Sequence, residues 1–284
     1  MQIRAAIISF ILGRLRLLTY KIGLSAPVVA FIPPDRLLVR TVHGFSLYCL
    51  CRDMSLTPSI VSWGCWEPAV ERAFLRAIER PDSVVIEVGA NIGYHTVLGS
   101  RKAPAGQYYA FEPNPGVRDV LKSNLVLNQA HHVIVESAPV LDSTREVEFS
   151  VLARHCGAAS VLKFEAWYLD RFADEATVLK LRSTSLDERF AELPHADVLK
   201  IDAEGSEPLV LHGAKELIRR SDSLKIIFEF NGPMIANLVE PQDMLSEIEA
   251  AGFKLYEIVA QGEPVARRRQ EFERLKFYEI LAAR

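Results

Sequence analysis

The chain has 284 residues, 49% of them apolar, enough to bury one substantial core and to fit one catalytic domain with an N-terminal extension. Lys and Arg total 33 against 36 Asp and Glu, so there is no excess positive field to gather nucleic acid, and a polyanionic substrate is not expected. Cys49, Cys51, Cys65 and Cys156 lack the C-x-x-C spacing of zinc or redox pairs, which reads as reduced thiols in a cytoplasmic protein.

In chain order, the apolar run Ala5 to Gly13 lies between Arg4 and Arg14 and is too short for a bilayer, which needs about 20 apolar residues. No small-residue cleavage site follows, so export is not predicted. Ile3, Ile7, Ile11, Leu15 and Leu18 recur at helical spacing, with Arg4, Arg14, Arg16 and Lys21 and no acid before Asp35. Residues 1–24 therefore read as a basic amphipathic helix, either docked on its own domain or a partner subunit, or lying on the inner face of an anionic membrane. Pro33-Pro34-Asp35 is a turn, and Leu37 to Leu50 reads as one or two strands of a small lid, so residues 1–63 form a preamble to a domain over 64–284.

A helix is predicted from Glu67 to Arg80, with Pro68 in its first turn and Val70, Phe74, Leu75 and Ile78 on one face. Strands and helices then alternate: strand Ser83 to Val88, helix Tyr94 to Lys102, strand Gln107 to Phe111, helix Pro115 to Leu127 capped by Asn114, strand His132 to Glu136. Thr144 to Leu162 breaks the rhythm and is expected to be an inserted β-ribbon facing the substrate. The alternation resumes with strand Asp197 to Ile201, a helix from Glu207 to Arg219 capped by Ser206, strand Leu224 to Phe230 and helix Gln242 to Ala251. Two last strands follow, Phe253 to Val259 and Leu275 to Leu281, with the charged stretch Glu263 to Arg274 as a solvated hairpin loop. The fold class is α/β: a seven-stranded, mostly parallel sheet with helices on both faces and a terminal antiparallel hairpin.

Val85-Ile86-Glu87-Val88-Gly89-Ala90-Asn91-Ile92-Gly93 stands at a strand-to-helix junction. Gly89 and Gly93 permit a tight turn and close approach of a ligand, and an adenosine cofactor is the natural occupant. A dinucleotide site prefers Gly-x-Gly-x-x-Gly, and Asn91 replaces the middle glycine, which disfavours NAD. Glu112 ends the next strand in Phe111-Glu112-Pro113, 23 residues beyond Gly89, where a carboxylate can accept from both ribose hydroxyls. Glu87, Ala90, Asn91, Pro113, Asn114, Ser137 and Ala138 complete the expected cofactor contacts, Glu87 either holding an amino group or pairing with a nearby donor. Lys200-Ile201-Asp202-Ala203-Glu204-Gly205-Ser206-Glu207 ends a later strand. Ligands sit outside the carboxyl ends of such strands, which puts Asp202 near both cofactor and reaction, while Glu207 reads as a helix cap.

With Gly64-Cys65-Trp66-Glu67, Phe111-Glu112-Pro113-Asn114 and Ser185-Leu186-Asp187, these motifs make the chain similar to the FkbM-type methyltransferase family. The resemblance implies a Rossmann-like class I methyltransferase domain binding S-adenosyl-L-methionine and O-methylation of a sugar, glycolipid, polysaccharide or secondary-metabolite hydroxyl. It covers most of the chain beyond the N-terminal extension. An alcohol must lose its proton, so Asp202, Glu204 and Lys200 are the candidate catalytic residues, with His95, Glu229 and Asn231 at the acceptor. His95 reads equally as a histidine satisfied within the fold. Asp202, Glu229 and Asn231 read as hydrogen-bonding groups rather than a magnesium site, and no metal is assigned. The rival readings are an NAD-dependent oxidoreductase and a non-catalytic cofactor-binding module. A nucleic-acid methylase is opposed by the absence of Asn-Pro-Pro-Tyr or Asp-Pro-Pro-Tyr.

Overall fold

The computed structural model describes residues 29–162, 169–170, 173–260 and 263–284. A three-stranded antiparallel sheet comes first, β1 (Val29–Ile32), β2 (Arg36–Arg40) and β3 (Ser46–Leu50), followed by the short helix α1 (Thr57–Trp63). The alternating part runs α2 (Pro68–Ala77), β4 (Val84–Val88), α3 (Tyr94–Lys102), β5 (Gln107–Phe111), α4 (Pro115–Leu127) and β6 (Val133–Glu136). Every residue of β4 is buried, as a central parallel strand covered on both faces requires. Asn114 begins α4 as the sequence indicates: its side chain accepts from the Gly116 amide, and Pro115 fills the position where a missing N–H does no harm.

After the ribbon β7 (Glu146–Leu152) and β8 (Ala176–Arg182) come α5 (Leu186–Arg189), β9 (Val198–Ile201), α6 (Glu207–His212), α7 (Lys215–Arg219) and β10 (Lys225–Asn231). The chain closes with α8 (Gly232–Ile235), α9 (Pro241–Ala250), β11 (Lys254–Glu257), β12 (Val265–Arg267), a 3-10 turn over Arg269–Glu271 and β13 (Phe277–Ala283). The main sheet has the order β12-β11-β13-β10-β9-β4-β5-β6. Its strands are parallel from β10 to β6, and β13, β11 and β12 join antiparallel. β4 leads to β5 on one side while β9 leads to β10 on the other, so the order reverses between β4 and β9 and a ligand crevice opens at their carboxyl ends. One apolar core, with Val85, Val198 and Ile227, also takes in Val39, Leu47 and Leu56 of the preamble; a second, with Ile86, Leu199 and Phe228, lies on the other face under α6, α7 and α9.

Four local expectations are corrected. The sheet has eight strands, because β12 forms inside the stretch expected to be a solvated loop, and Arg267 bonds Glu257 across the β11–β12 pair at 3.0 Å. The helix expected over Glu207 to Arg219 is two helices. Gly213 sits between them, where a Cβ would meet the Leu141 carbonyl oxygen at 2.1 Å, so the chain turns against residue 141 instead of continuing. Ser206 precedes α6 but its hydroxyl caps nothing. The partner of β7 lies beyond the predicted ribbon, in β8, which is largely exposed and alternates in burial only over its second half, with Leu179 and Leu181 half-buried. Among the described residues no helix is long and apolar enough to cross a membrane. The amphipathic helix expected over residues 1–24, and its membrane contact, lie outside the described residues.

Candidate active site

At the β4–β9 junction the loop Gly89 to Gly93 turns through three left-handed residues, Gly89 (φ +81°), Asn91 (φ +50°) and Gly93 (φ +88°). The glycines are required by the protein itself as well as by any ligand. A Cβ on Gly89 would meet the Asp202 carbonyl oxygen at 1.9 Å, and one on Gly93 the Leu121 Cδ1 at 2.5 Å. The loop's five amides are all engaged. Gly89 and Ala90 donate to the Phe111 carbonyl at 3.0 and 2.9 Å, Asn91 to Glu112 Oε2 at 2.9 Å, Ile92 to Asn91 Oδ1 at 2.8 Å, and Gly93 to the Ala90 carbonyl at 2.9 Å. An amide nest for a pyrophosphate is therefore not on offer, which counts against a dinucleotide.

Glu112 lies at the tip of β5, buried rather than an exposed loop acid. Its Oε1 accepts from the Asn114 amide at 2.8 Å while Oε2 accepts from Asn91, so one carboxyl ties two cleft loops together. Each oxygen keeps a further lone pair for a ligand hydroxyl. Burial pushes its pKa up to about 7, against the pull of the two amides. Glu87, buried in β4, accepts from Tyr108 Oη at 2.6 Å and Thr96 Oγ1 at 2.8 Å through Oε2.

On the face of the sheet that carries Val85, Val198 and Ile227, the apolar alternation gives way near the strand ends to Glu87, Lys200, Glu229 and Glu279. Glu87 registers with Lys200, and Glu229 with Glu279. Lys200 is buried and donates to Asp202 Oδ2 at 3.1 Å. Burial pulls its pKa down, but Asp202, Glu87 and Glu67 outweigh this and raise it, so it stays charged. Glu67, left-handed at the start of α2, faces the same group. Its pKa rises to about 7 through burial and the Asp202 charge, and that of Glu229 to about 8 through burial, Asp202 and Glu207. Glu204 is raised well above the carboxylate range by burial, then by Glu229 and Asp202. Glu207 holds the loop ahead of α6, accepting from the Ala203 amide at 2.9 Å and Gly205 at 3.3 Å, a capping part consistent with its sequence reading. Among the described residues no group of three or more His, Cys, Asp or Glu is arranged to hold a metal ion.

A lid closes the crevice from the preamble and the ribbon. Asp53 accepts from the amides of Leu56, Thr57 and Cys156 at 3.0, 2.8 and 3.2 Å, and Ser55 Oγ accepts from the Gly157 amide at 3.1 Å. Asp174 accepts from the Arg154 and His155 amides at 2.9 and 2.8 Å, and His155 Nδ1 lies 2.7 Å from its Oδ2. The cavity is about 370 Å³, within the range of small-ligand sites.

Of the residues singled out from sequence, Glu87, Gly89, Ala90, Asn91, Glu112, Pro113, Lys200, Asp202, Glu204, His95, Glu229 and Asn231 all line this cavity. Gly93, Asn114, Ser137 and Ala138 are not among its lining residues; Gly93 and Asn114 shape the loops behind it, and Pro139, Val140 and Leu141 stand where Ser137 and Ala138 were expected. His95 is buried, its ring edge-on to Phe74 and Tyr94, and Nε2 has no hydrogen-bond partner among the described residues. Burial, then the Lys200 charge, keeps it neutral. Sequence reasoning did not assign Trp66, Glu67, His155 or Phe277, which also line the cavity, nor Glu279 beside it. Glu279 had a signal: like Glu229, it is an acid inside an otherwise apolar strand.

The methyltransferase FkbM domain model matches residues 87–255, more than half of the chain. The chain is 30% identical over 156 residues to methyltransferase sdnD of Sordaria araneosa, covering 46% of this chain and 60% of that protein. It is 31% identical over 165 residues to the AMB antimetabolite synthetase AmbE of Pseudomonas aeruginosa, covering 47% of this chain and 8% of that one. The chain thus spans less than two thirds of the length of these curated relatives. A solved methyltransferase FkbM from Methylobacillus flagellatus superposes with a TM-score of 0.45 at 14% identity, covering 72% of this chain and 44% of that chain. The chain belongs to the FkbM methyltransferase domain family, which uses S-adenosylmethionine.

Proposed function

We propose that the chain transfers a methyl group from S-adenosylmethionine to a hydroxyl oxygen of a small, carbohydrate-like acceptor, with residues 64–284 as the methyltransferase domain and 1–63 as its preamble. The observation that carries this is the glycine loop packed against the Asp202 carbonyl at the sheet's switch point, its amides all engaged, with Glu112 at the neighbouring strand tip. Such a site suits an adenosine with free ribose hydroxyls and lacks the donors a pyrophosphate needs. S-adenosylmethionine, when bound, supplies an electrophilic methyl group.

The chain's own residues do the rest. Glu112 accepts from the ribose hydroxyls, and Lys200 holds the Asp202 carboxylate in place at 3.1 Å. Asp202 orients the acceptor hydroxyl, since much of the acceleration in such a displacement comes from alignment. The acceptor's proton goes to Asp202 as the hydroxyl oxygen attacks the methyl group.

The reading is tested by following S-adenosylhomocysteine formation with a panel of sugars and glycolipids. Acceptor-dependent turnover that falls at least about 100-fold in Asp202→Asn is expected. Full turnover in that variant refutes the assignment of Asp202, and NAD-dependent oxidation in place of methyl transfer refutes the reaction class.

A further inference from the structure

The sheet order divides the cavity into two unlike halves. At the tips of β5 and β6 it is lined by Glu112, Pro113 and Pro139 to Leu141, and at the tips of β9, β10 and β13 by Trp66, Glu67, Lys200, Glu229, Asn231 and Phe277. Resting on the methyl-transfer reading above, we propose that the second half is an acceptor subsite built for an uncharged, hydroxyl-rich ring and closed to acceptors that carry a phosphate or carboxylate.

Charge is the first argument. Among the described lining residues Lys200 is the one Lys or Arg, and it is already bound to Asp202. Glu67, Asp202, Glu204 and Glu229 face it, with Glu279 directly across from Glu229. Among the described lining residues no basic side chain is left to receive an anion, and each of these carboxyl groups repels one at short range through a partly dry medium whenever it ionises.

Protonation is the second. Burial and mutual repulsion lift Glu67 to about 7, Glu229 to about 8 and Glu279 to about 10, so near neutral pH the group retains protons. A mixture of carboxylic acids and carboxylates offers both donors and acceptors, which is what a hydroxyl, itself donor and acceptor, requires. Two further polar atoms lie buried behind this wall without a hydrogen-bond partner among the described residues, Ser206 Oγ and His95 Nε2, both on residues that line the cavity. The aromatic side chains of Trp66 and Phe277 supply apolar surface for the C–H face of a ring.

The test uses the full chain loaded with S-adenosylhomocysteine and titrated at pH 7.5 with a neutral methyl hexoside, its phosphate ester and the corresponding uronate. The neutral glycoside is expected to bind at least about tenfold more tightly than either anion, and Glu67→Gln and Glu229→Gln to narrow that gap. Equal or tighter binding of an anionic member overturns the proposal. If none of the three binds measurably, collisional quenching of Trp66 in a Trp63→Phe, Trp167→Phe background decides. Iodide should quench far less than neutral acrylamide and regain access in Glu67→Gln; iodide quenching equal to acrylamide's sinks the idea. Failure of the methyl-transfer reading shows separately, as failure to bind S-adenosylmethionine, and leaves the quencher comparison standing.

Discussion

Glu229→Gln replaces an ionisable carboxyl in the acidic half of the cavity by an amide that cannot ionise, while keeping the shape of the side chain and an amide oxygen able to accept from Asn231 Nδ2, which lies 3.4 Å from Glu229 Oε1. The folded chain holds the Glu229 proton up to about pH 8, whereas an ordinary glutamate releases it near 4.5. Between those values the folded state binds more protons than the unfolded one, so stability falls as pH rises, and the loss is complete above the folded value. At about 1.4 kcal/mol per pH unit, one such group removes about 2 to 3 kcal/mol between pH 6 and 8, of the order of 5 °C in Tm. Urea unfolding of the ligand-free chain at pH 6, 7 and 8.5 reads this directly. Wild type should lose stability toward alkaline pH, and Glu229→Gln should lose less and be the more stable protein at pH 8.5. Identical slopes for the two proteins would refute the crowded-carboxylate account.

Gly89→Ala combines a left-handed residue with a Cβ at 1.9 Å from the Asp202 carbonyl and should lower stability by about 2 to 5 kcal/mol in the same unfolding assay. Gly116→Ala is the contrast: its Cβ meets nothing closer than 3.7 Å within the first turn of α4, so it should be neutral or stabilising by up to about 1 kcal/mol. Asn114→Ala removes the cap on the Gly116 amide and should cost about 0.5 to 2 kcal/mol, with the cavity's other side chains left in place.

Much of this architecture was legible because its physics is local. A run such as Val84 to Val88, buried throughout, marks a central strand, and Gly89 and Glu112 stand where a strand end and the next strand end must stand. The parts that escaped depend on contacts between distant segments. β8 alternates in burial only from Val178 to Arg182, a short signal, and its place is set by pairing with β7. The break at Gly213 is set by the backbone of Leu141; the glycine alone signals a weakened helix, not its end. Glu67 and Glu279 reach the site from α2 and β13, so their meeting with Glu229 follows from the order of strands in the sheet and is invisible in spacing alone. Pro139 to Leu141 replaced Ser137 and Ala138 at the cavity wall through a shift of a few residues, the usual error when a strand's end is read from its sequence.

The loop beside Gly89 and the carboxyl of Glu112 are proposed to receive an adenosine cofactor carrying a methyl group. Calorimetric titration of the full chain with S-adenosylmethionine and, separately, with NAD tests it most directly when the first titration is repeated on Glu112→Ala. Micromolar binding of S-adenosylmethionine that weakens at least about 100-fold in the variant is expected, with no heat from NAD. Binding of NAD alone, or S-adenosylmethionine binding indifferent to residue 112, would contradict it.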